Sequence, residues 1–248
     1  MTGLHEVRAG NGPPVLLVHG GMMDGGRAWT EQAPLEQRWT LRRVDRAGYA
    51  GSAGLADGED IELDADLVAG SLEEPTHLVG HSSGGVVALL AAVRNPRCVA
   101  SLTVIEPPVF QIAAGDSAAA RDRLHFNQRH FADSGGDDVA WAKDHFAGSE
   151  GESPSDELLE RLRQHIRTWR GFLKKPWEVE LPVGALHACP HPKLVVSGGY
   201  SEAFEDTCDV LASLIEAERD VVGGHGHLVQ RAGPAFNDRL ERLMTQAA

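Results

Sequence analysis

The chain has 248 residues, of which 42% are hydrophobic and 24% charged, with a formal net charge of −13. That length suits one α/β domain with a substantial core. The acidic balance argues against nucleic acid as a partner, because phosphate backbones demand a basic footprint. Cys98, Cys189 and Cys208 are odd in number and widely spaced, which does not suggest a disulfide framework. The segment Cys189-Pro190-His191 lacks a second ligand pair, so no metal site is expected.

Residues Met1 to Gly12 are polar and contain no apolar core of a secretory signal. No stretch approaches the roughly 20 apolar residues of a membrane helix. The expectation is therefore a cytoplasmic protein that does not engage a membrane. Val15–Val18 reads as a buried strand running into Gly20-Gly21, followed by a helix from Arg27 to Gln37. Trp39–Val44 is the next strand, and Asp45 to Ser52 a loop. Ile61–Leu72 is helical, Thr76–Val79 a short strand, Ser83–Val93 a helix and Val99–Ile105 a strand stopped by Pro107-Pro108. The strand pattern resumes at Lys193–Val196. A helix at Glu202–Glu216, a strand at Arg219–Val222 and a last helix starting near Pro234 follow.

Between Pro107 and Pro192 the pattern is helix after helix. Ser153, Pro154 and Asp156 make a capping box, and Leu158, Leu162, Ile166, Trp169 and Leu173 recur at helical spacing. Alternating strands and helices imply an α/β fold with a mostly parallel, doubly wound sheet. The helical block implies an inserted cap at residues 107–192, leaving 1–106 and 193–248 as the core. Eight of the fourteen aromatic residues fall in that block. They either form its own core or line an apolar pocket. Met22, His81, Trp141 and Trp169 are the candidate substrate-binding residues.

The sharpest signal is Gly80-His81-Ser82-Ser83-Gly84-Gly85, placed between a strand and a helix. A hydroxyl held proud of a sheet needs a sharp, strained turn. Side chains two residues either side would collide there, and Gly80 and Gly84 remove them. Only Ser82 has glycine at both offsets. Ser82, Gly21, Glu106 and His227 all fall just after a strand, where ligands of open α/β sheets bind.

With Val18-His19-Gly20-Gly21, the Asp45–Ser52 loop and Gly226-His227-Leu228 ahead of Pro234, this pattern resembles the α/β-hydrolase superfamily over nearly the whole chain. The resemblance implies Ser82 as nucleophile and His227 as general base, with His225 the competing histidine. It implies an oxyanion hole from the backbone N–H groups of Gly21 and Ser83, with Met22 as the alternative to Gly21. It places the triad acid after Lys193–Val196, where this chain has Ser201. Glu106, at the end of the strand after the nucleophile helix, is the replacement, and Glu202 the alternative. The implied activity is hydrolysis of a carboxylic ester, lactone or thioester of a small, partly apolar molecule, without a metal or organic cofactor. C–C bond hydrolysis or cofactor-free perhydrolysis would use the same groups. A ligand-binding protein that has lost turnover is the rival from another class, favoured by the missing Asp.

Overall fold

The computed structural model describes residues 3–55, 60–133, 135–147 and 154–247. Seven strands form one sheet: β1 (Glu6–Ala9), β2 (Pro14–Val18), β3 (Thr40–Val44), β4 (Thr76–His81), β5 (Val99–Ile105), β6 (Lys193–Ser197) and β7 (Glu218–Val221). Their spatial order is β1-β3-β2-β4-β5-β6-β7. Only β1 runs antiparallel, pairing Glu6 with Val44. The helices are α1 (Gly25–Ala28), α2 (Ile61–Gly70), α3 (Ser83–Arg94), α4 (Ala118–Ala132), α5 (Asp138–Ala147), α6 (Asp156–Arg161), α7 (Arg163–Arg170), α8 (Val183–Ala188), α9 (Glu202–Ile215) and α10 (Pro234–Gln246). Helices α4 to α8 all lie between β5 and β6. No helix among the described residues is long and apolar enough to cross a membrane.

Strand side chains alternate between two buried faces, as the period of two requires. Leu16 and Val18 face α2, α3 and α9, packing with Ile61, Val87, Leu89 and Leu211. Val15 and Leu17 face the opposite layer with Trp29, Leu35, Phe236, Leu240 and Met244. A third cluster, around Phe131, Trp141, Leu159, Ile166 and Trp177, belongs to the helices between β5 and β6.

Several expected boundaries move. The polar N-terminal stretch holds strand β1, whose four residues carry too little apolar signal to be seen alone. The single helix expected at Arg27–Gln37 is the short α1 plus a 3₁₀ segment at Thr30–Gln37 that contains Pro34. Proline has no N–H to give to an α-helical ladder. The helical run from Leu158 to Leu173 breaks at Leu162 into α6 and α7. Its cap is Ser155, whose hydroxyl accepts the Leu158 N–H; the Ser153 expected there lies outside the described residues.

Adjacent strand ends converge in register. His81 pairs with Ile105, and Ile105 with Val196. Ser82 and Glu106 therefore emerge one residue beyond neighbouring strands. Across the β2 and α3 ends the backbones almost touch. A Cβ at Gly84 would fall 2.2 Å from His19 O, and one at Gly80 would fall 2.3 Å from Gly84 O.

A wholly buried ion pair braces this junction. Arg46 and Asp64 are 0% and 1% exposed. The Arg46 Nε–H donates to Asp64 Oδ2 at 2.8 Å. Its Nη1 donates to Ser83 Oγ at 2.8 Å and to His19 O at 3.3 Å. One guanidinium thus ties the loop after β3 to α2, to the first residue of α3 and to the end of β2.

Four outcomes are expected from unfolding curves. Gly84→Ala should cost about 3 kcal/mol, at the upper end of overpacking penalties, because the facing atoms, His19 O, Val18 O and His19 C, are all backbone. Gly70→Ala, where a Cβ meets nothing within 4 Å, should be neutral or stabilising. Arg46→Met should cost about 3–5 kcal/mol by stranding the Asp64 carboxylate. Adding Asp64→Leu should recover much of that loss, and a strictly additive double variant would show that the pair is not coupled.

Candidate active site

Ser82 sits at φ 53°, ψ −127°, between β4 and α3. Glu106 sits at φ 43° after β5. Only Ala50 and Glu216 join them as non-glycine residues at positive φ among the described residues. Such backbone costs on the order of 1–3 kcal/mol per residue and persists only where the surroundings enforce it. Here strand pairing enforces it. The Ser82 N–H donates to Ile105 O at 2.8 Å and the Glu106 N–H to Val196 O at 3.0 Å.

The turn at Glu106 sends its carboxyl group toward the loop after β7. His227 Nδ1 lies 2.5 Å from Glu106 Oε2. Glu106 Oε1 accepts the Gly198 N–H at 2.7 Å. Glu106 is fully buried, whereas the His227 side chain keeps 32% of its surface exposed. Burial pushes the Glu106 carboxyl up to about 8; the Gly198 N–H and a Tyr200 side-chain hydrogen bond act in the opposite direction. Burial lowers His227, and the Arg123 guanidinium lowers it further. Both groups are thus pressed toward their neutral forms, and one short hydrogen bond joins them.

Of the alternatives, His225 and Glu202 are both exposed. Ser201 is the buried N-cap residue of α9. The other acid in the first turn of α9, Glu205, is taken up by the Ser197 hydroxyl, the Gly199 N–H and Arg219.

His81 and Phe204 fix the imidazole of His227 from two sides. His81 Nε2–H donates to His227 O at 2.9 Å, and the two rings lie 4.7 Å apart. Phe204 stacks on His227 at 4.9 Å and 24°. Burial lowers His81 to about 3, so it is neutral at ordinary pH.

The loop after β2 is pinned peptide by peptide. His19 Nε2 accepts the Arg46 N–H at 3.0 Å, which leaves the ring proton on Nδ1, 2.7 Å from Gly20 O. Burial holds this histidine well below its usual pKa. The Tyr49 hydroxyl donates to Gly21 O at 2.6 Å. A trans peptide points its N–H opposite its C=O, so these anchors fix the N–H directions of Gly21 and Met22. A Cβ at Gly20 would fall 3.1 Å from Ser82 Cβ, so this loop borders the hydroxyl. Ser83 opens α3, where a helix leaves its N–H groups without intrahelical partners.

Trp169 of α7 covers the loop. A Cβ at Gly21 would fall 2.3 Å from its Cδ1 and 2.5 Å from its Nε1. Met22, half-buried, packs against the same cluster. Trp141 lies behind Trp169, with ring centroids 5.2 Å apart and its Nε1–H on His130 O. It therefore belongs to the core of the helical segment. Arg46, Asp64, Tyr49, Gly198 and Phe204 were not singled out in the sequence. Asp64 alone carried a signal, since it shares the apolar face of α2 with Ile61, Ala65 and Val68.

The sequence matches the alpha/beta hydrolase family over residues 15–239. A pimeloyl-[acyl-carrier protein] methyl ester esterase from Methylococcus capsulatus is 41% identical over 104 residues, which is 42% of this chain and 40% of that protein. The chain thus aligns with about two fifths of that relative's length. Among solved structures, a hydrolase from Oleispira antarctica superposes with a TM-score of 0.77 at 19% identity, covering 97% of this chain and 94% of that one. Est816, described as an N-acyl homoserine lactone degrading enzyme, superposes at 0.71 and 21% identity, covering 96% of each chain. The strand-end serine, the glycine-bounded turn and the match across nearly all of the sheet make this chain a member of the alpha/beta hydrolase family.

Proposed function

We propose that the protein is a serine hydrolase cleaving a carboxylic ester, lactone or thioester through a Ser82–His227–Glu106 triad and an acyl-enzyme. The observation that carries this reading is the 2.5 Å contact between His227 Nδ1 and the buried Glu106 carboxyl group, one strand away from Ser82. A serine hydroxyl is a weak nucleophile until a base takes its proton. In the form with Glu106 ionised, the carboxylate accepts the Nδ1–H and His227 presents an unprotonated Nε2 for that task. As Ser82 Oγ attacks the carbonyl carbon, the imidazolium forms beside a carboxylate that balances it. The Gly21 and Ser83 N–H groups receive the charge on the carbonyl oxygen. His227 then protonates the leaving alcohol, thiol or ring oxygen, and the acyl-enzyme is opened by a water that His227 deprotonates.

Helices α4 to α8 serve as a cap in this reading. The support is Trp169, which lies directly on Gly21. The pimeloyl-ester relative favours ester substrates.

A fluorophosphonate probe should add once to the wild-type protein and not at all to Ser82→Ala, read by intact mass. Failure to label a folded wild-type chain would remove the hydrolase reading. Glu106→Gln should lower kcat by about 10³- to 10⁴-fold, as loss of the orienting carboxylate does in other triads. The same variant has a signature in stability. The folded chain holds the Glu106 proton up to about pH 8, whereas an ordinary glutamate loses it near 4.5. Wild-type stability therefore falls as pH rises through that window, and Glu106→Gln escapes the fall. Its melting temperature relative to wild type should climb between pH 5 and 8.5; a constant difference would contradict the raised carboxyl. Gly21→Ala should slow turnover at least about 100-fold. Adding Trp169→Ala should restore part of it, because the new methyl group then has room.

A further inference from the structure

The loops after β6 and β7 meet at two glycines. A Cβ at Gly198 would fall 2.2 Å from Gly226 O, and Gly226 is the residue before His227. Gly199, at φ 69°, turns the chain there, and Tyr200 Cδ1 lies 3.1 Å from the same Cβ position on Gly198. The Tyr200 ring lies 6.2 Å from Phe204, the ring that stacks on His227. The Tyr200 side chain hydrogen-bonds Glu106, whose Oε1 accepts the Gly198 N–H at 2.7 Å and whose Oε2 lies 2.5 Å from His227 Nδ1. Two residues of one loop thus hold the fully buried carboxyl group that faces the imidazole. The other ionisable groups close to Glu106 do not take this part. His81 favours the carboxylate only when charged, and burial keeps it neutral. Glu205 opposes the carboxylate, and its own oxygens are occupied by Ser197, Gly199 and Arg219. Cys208 is a thiol that burial pushes up, so it is uncharged.

We propose that Tyr200 is a positioning residue of the triad, its hydroxyl and the Gly198 N–H together holding the Glu106 carboxylate on His227. For its effect on turnover the inference rests on the hydrolase reading. An ionised carboxylate in an apolar site is costly, and each donor that bonds the charged form reduces that cost. A phenol that bonds a carboxylate donates its one proton, so the bond strengthens when Glu106 ionises. That is the state in which Glu106 accepts the Nδ1–H and balances the imidazolium. Gly198 gives a backbone N–H that no side-chain change removes. Tyr200→Phe removes one oxygen and keeps the ring between Gly198 and Phe204. The loop after β6 then supplies two donors where the family pattern supplies the acid, and the tyrosine sets the pH at which the displaced acid becomes usable.

The test is the pH dependence of Ser82 labelling by the fluorophosphonate probe, read as a second-order rate from pH 6 to 9. The wild-type rate should rise as Glu106 ionises at about pH 8. Tyr200→Phe should carry that rise about 1 pH unit higher, the contribution of one hydrogen bond to a charged group. Labelling then falls about 10-fold at pH 6.5 and only about 2-fold at pH 9. Loss of the same factor at every pH, or no loss, overturns the inference, because a packing role alone does not move a pH profile. A turnover-free reading separates it from the hydrolase proposal. The folded carboxyl keeps its proton to about pH 8, so stability falls from pH 4.5 up to that point and then levels. In a Ser82→Ala background the melting temperature should level near pH 8, and with Tyr200→Phe added it should go on falling to about pH 9. A difference between the two proteins that stays constant from pH 5 to 9.5 overturns the role of Tyr200 even if esters are cleaved. Should wild type neither label nor cleave an ester, the hydrolase reading falls, and the melting comparison alone decides whether Tyr200 holds the carboxyl group.

Discussion

The backbone of α3 lies against the end of β2 with no room for a side chain between them. Gly84 would place a Cβ 2.2 Å from His19 O. That approach brings the Ser82 turn beside the loop at Gly20 and Gly21, and the rest of the site takes its positions from it. Close backbone contact brings polar groups out of water, so each must find a partner. Arg46 supplies several at once, reaching His19 O, Ser83 Oγ and Asp64. A buried ion pair is weak evidence for stability, because desolvation opposes the attraction. Its value here lies in geometry. The rigid guanidinium fixes how far apart the β2 loop and the α3 start can be.

A second constraint is the placement of the acid. In the family pattern the acid follows the strand here called β6, where this chain has Ser201. Glu106 reaches His227 instead, from the adjacent strand end. It does so through a left-handed backbone at φ 43°, held by the pairing of Glu106 N–H with Val196 O. The Gly198 N–H then donates to the carboxyl group, so the β6 loop still contributes a donor where it lacks an acid. The carboxyl sits where its ionised form is costly, and that cost is compatible with a role in which a neighbouring imidazolium appears only in the transition state.

What the sequence made legible follows from the range of the interactions. The strands β2, β4, β5 and β6 are buried on both faces, and the apolar residues within them announce them. Gly80, Ser82 and Gly84 are a local constraint spelled out within five residues. Glu106 was readable as a charge at the end of an apolar strand, where it is costly unless paired. Strand β1 was not readable, because four half-exposed residues gain their structure from pairing with β3. Arg46 looked like an ordinary loop arginine. Its burial depends on Asp64, eighteen residues away, and on Ser83, thirty-seven away. The aromatic residues between β5 and β6 split in a way no periodicity could assign. Trp141 and Trp169 stand on neighbouring helices of one cluster, yet only Trp169 meets Gly21.

That single contact joins the helical segment to the chemistry of the loop. Gly21 is held from below by the Tyr49 hydroxyl and covered from above by the Trp169 indole. Tyr49 itself packs with His165 and Phe172, and Phe172 lies 5.0 Å from the Arg46 guanidinium. The Thr168 hydroxyl donates to Gly48 O at 3.2 Å, adding a polar tie between α7 and the same loop. Displacement of α7 would therefore remove packing from Gly21 and Tyr49 while leaving the hydrogen bonds of the loop after β2 in place. In a hydrolase working by the proposed scheme, substrate entry requires Trp169 to yield some of its contact with Gly21. The loop beneath keeps its shape during that exchange because its carbonyls are hydrogen-bonded to His19, Tyr49 and Arg46, none of which lies in α7. The division of labour is physical: the apolar cover can move at the cost of dispersion contacts, while the polar anchors that set N–H directions stay buried and satisfied.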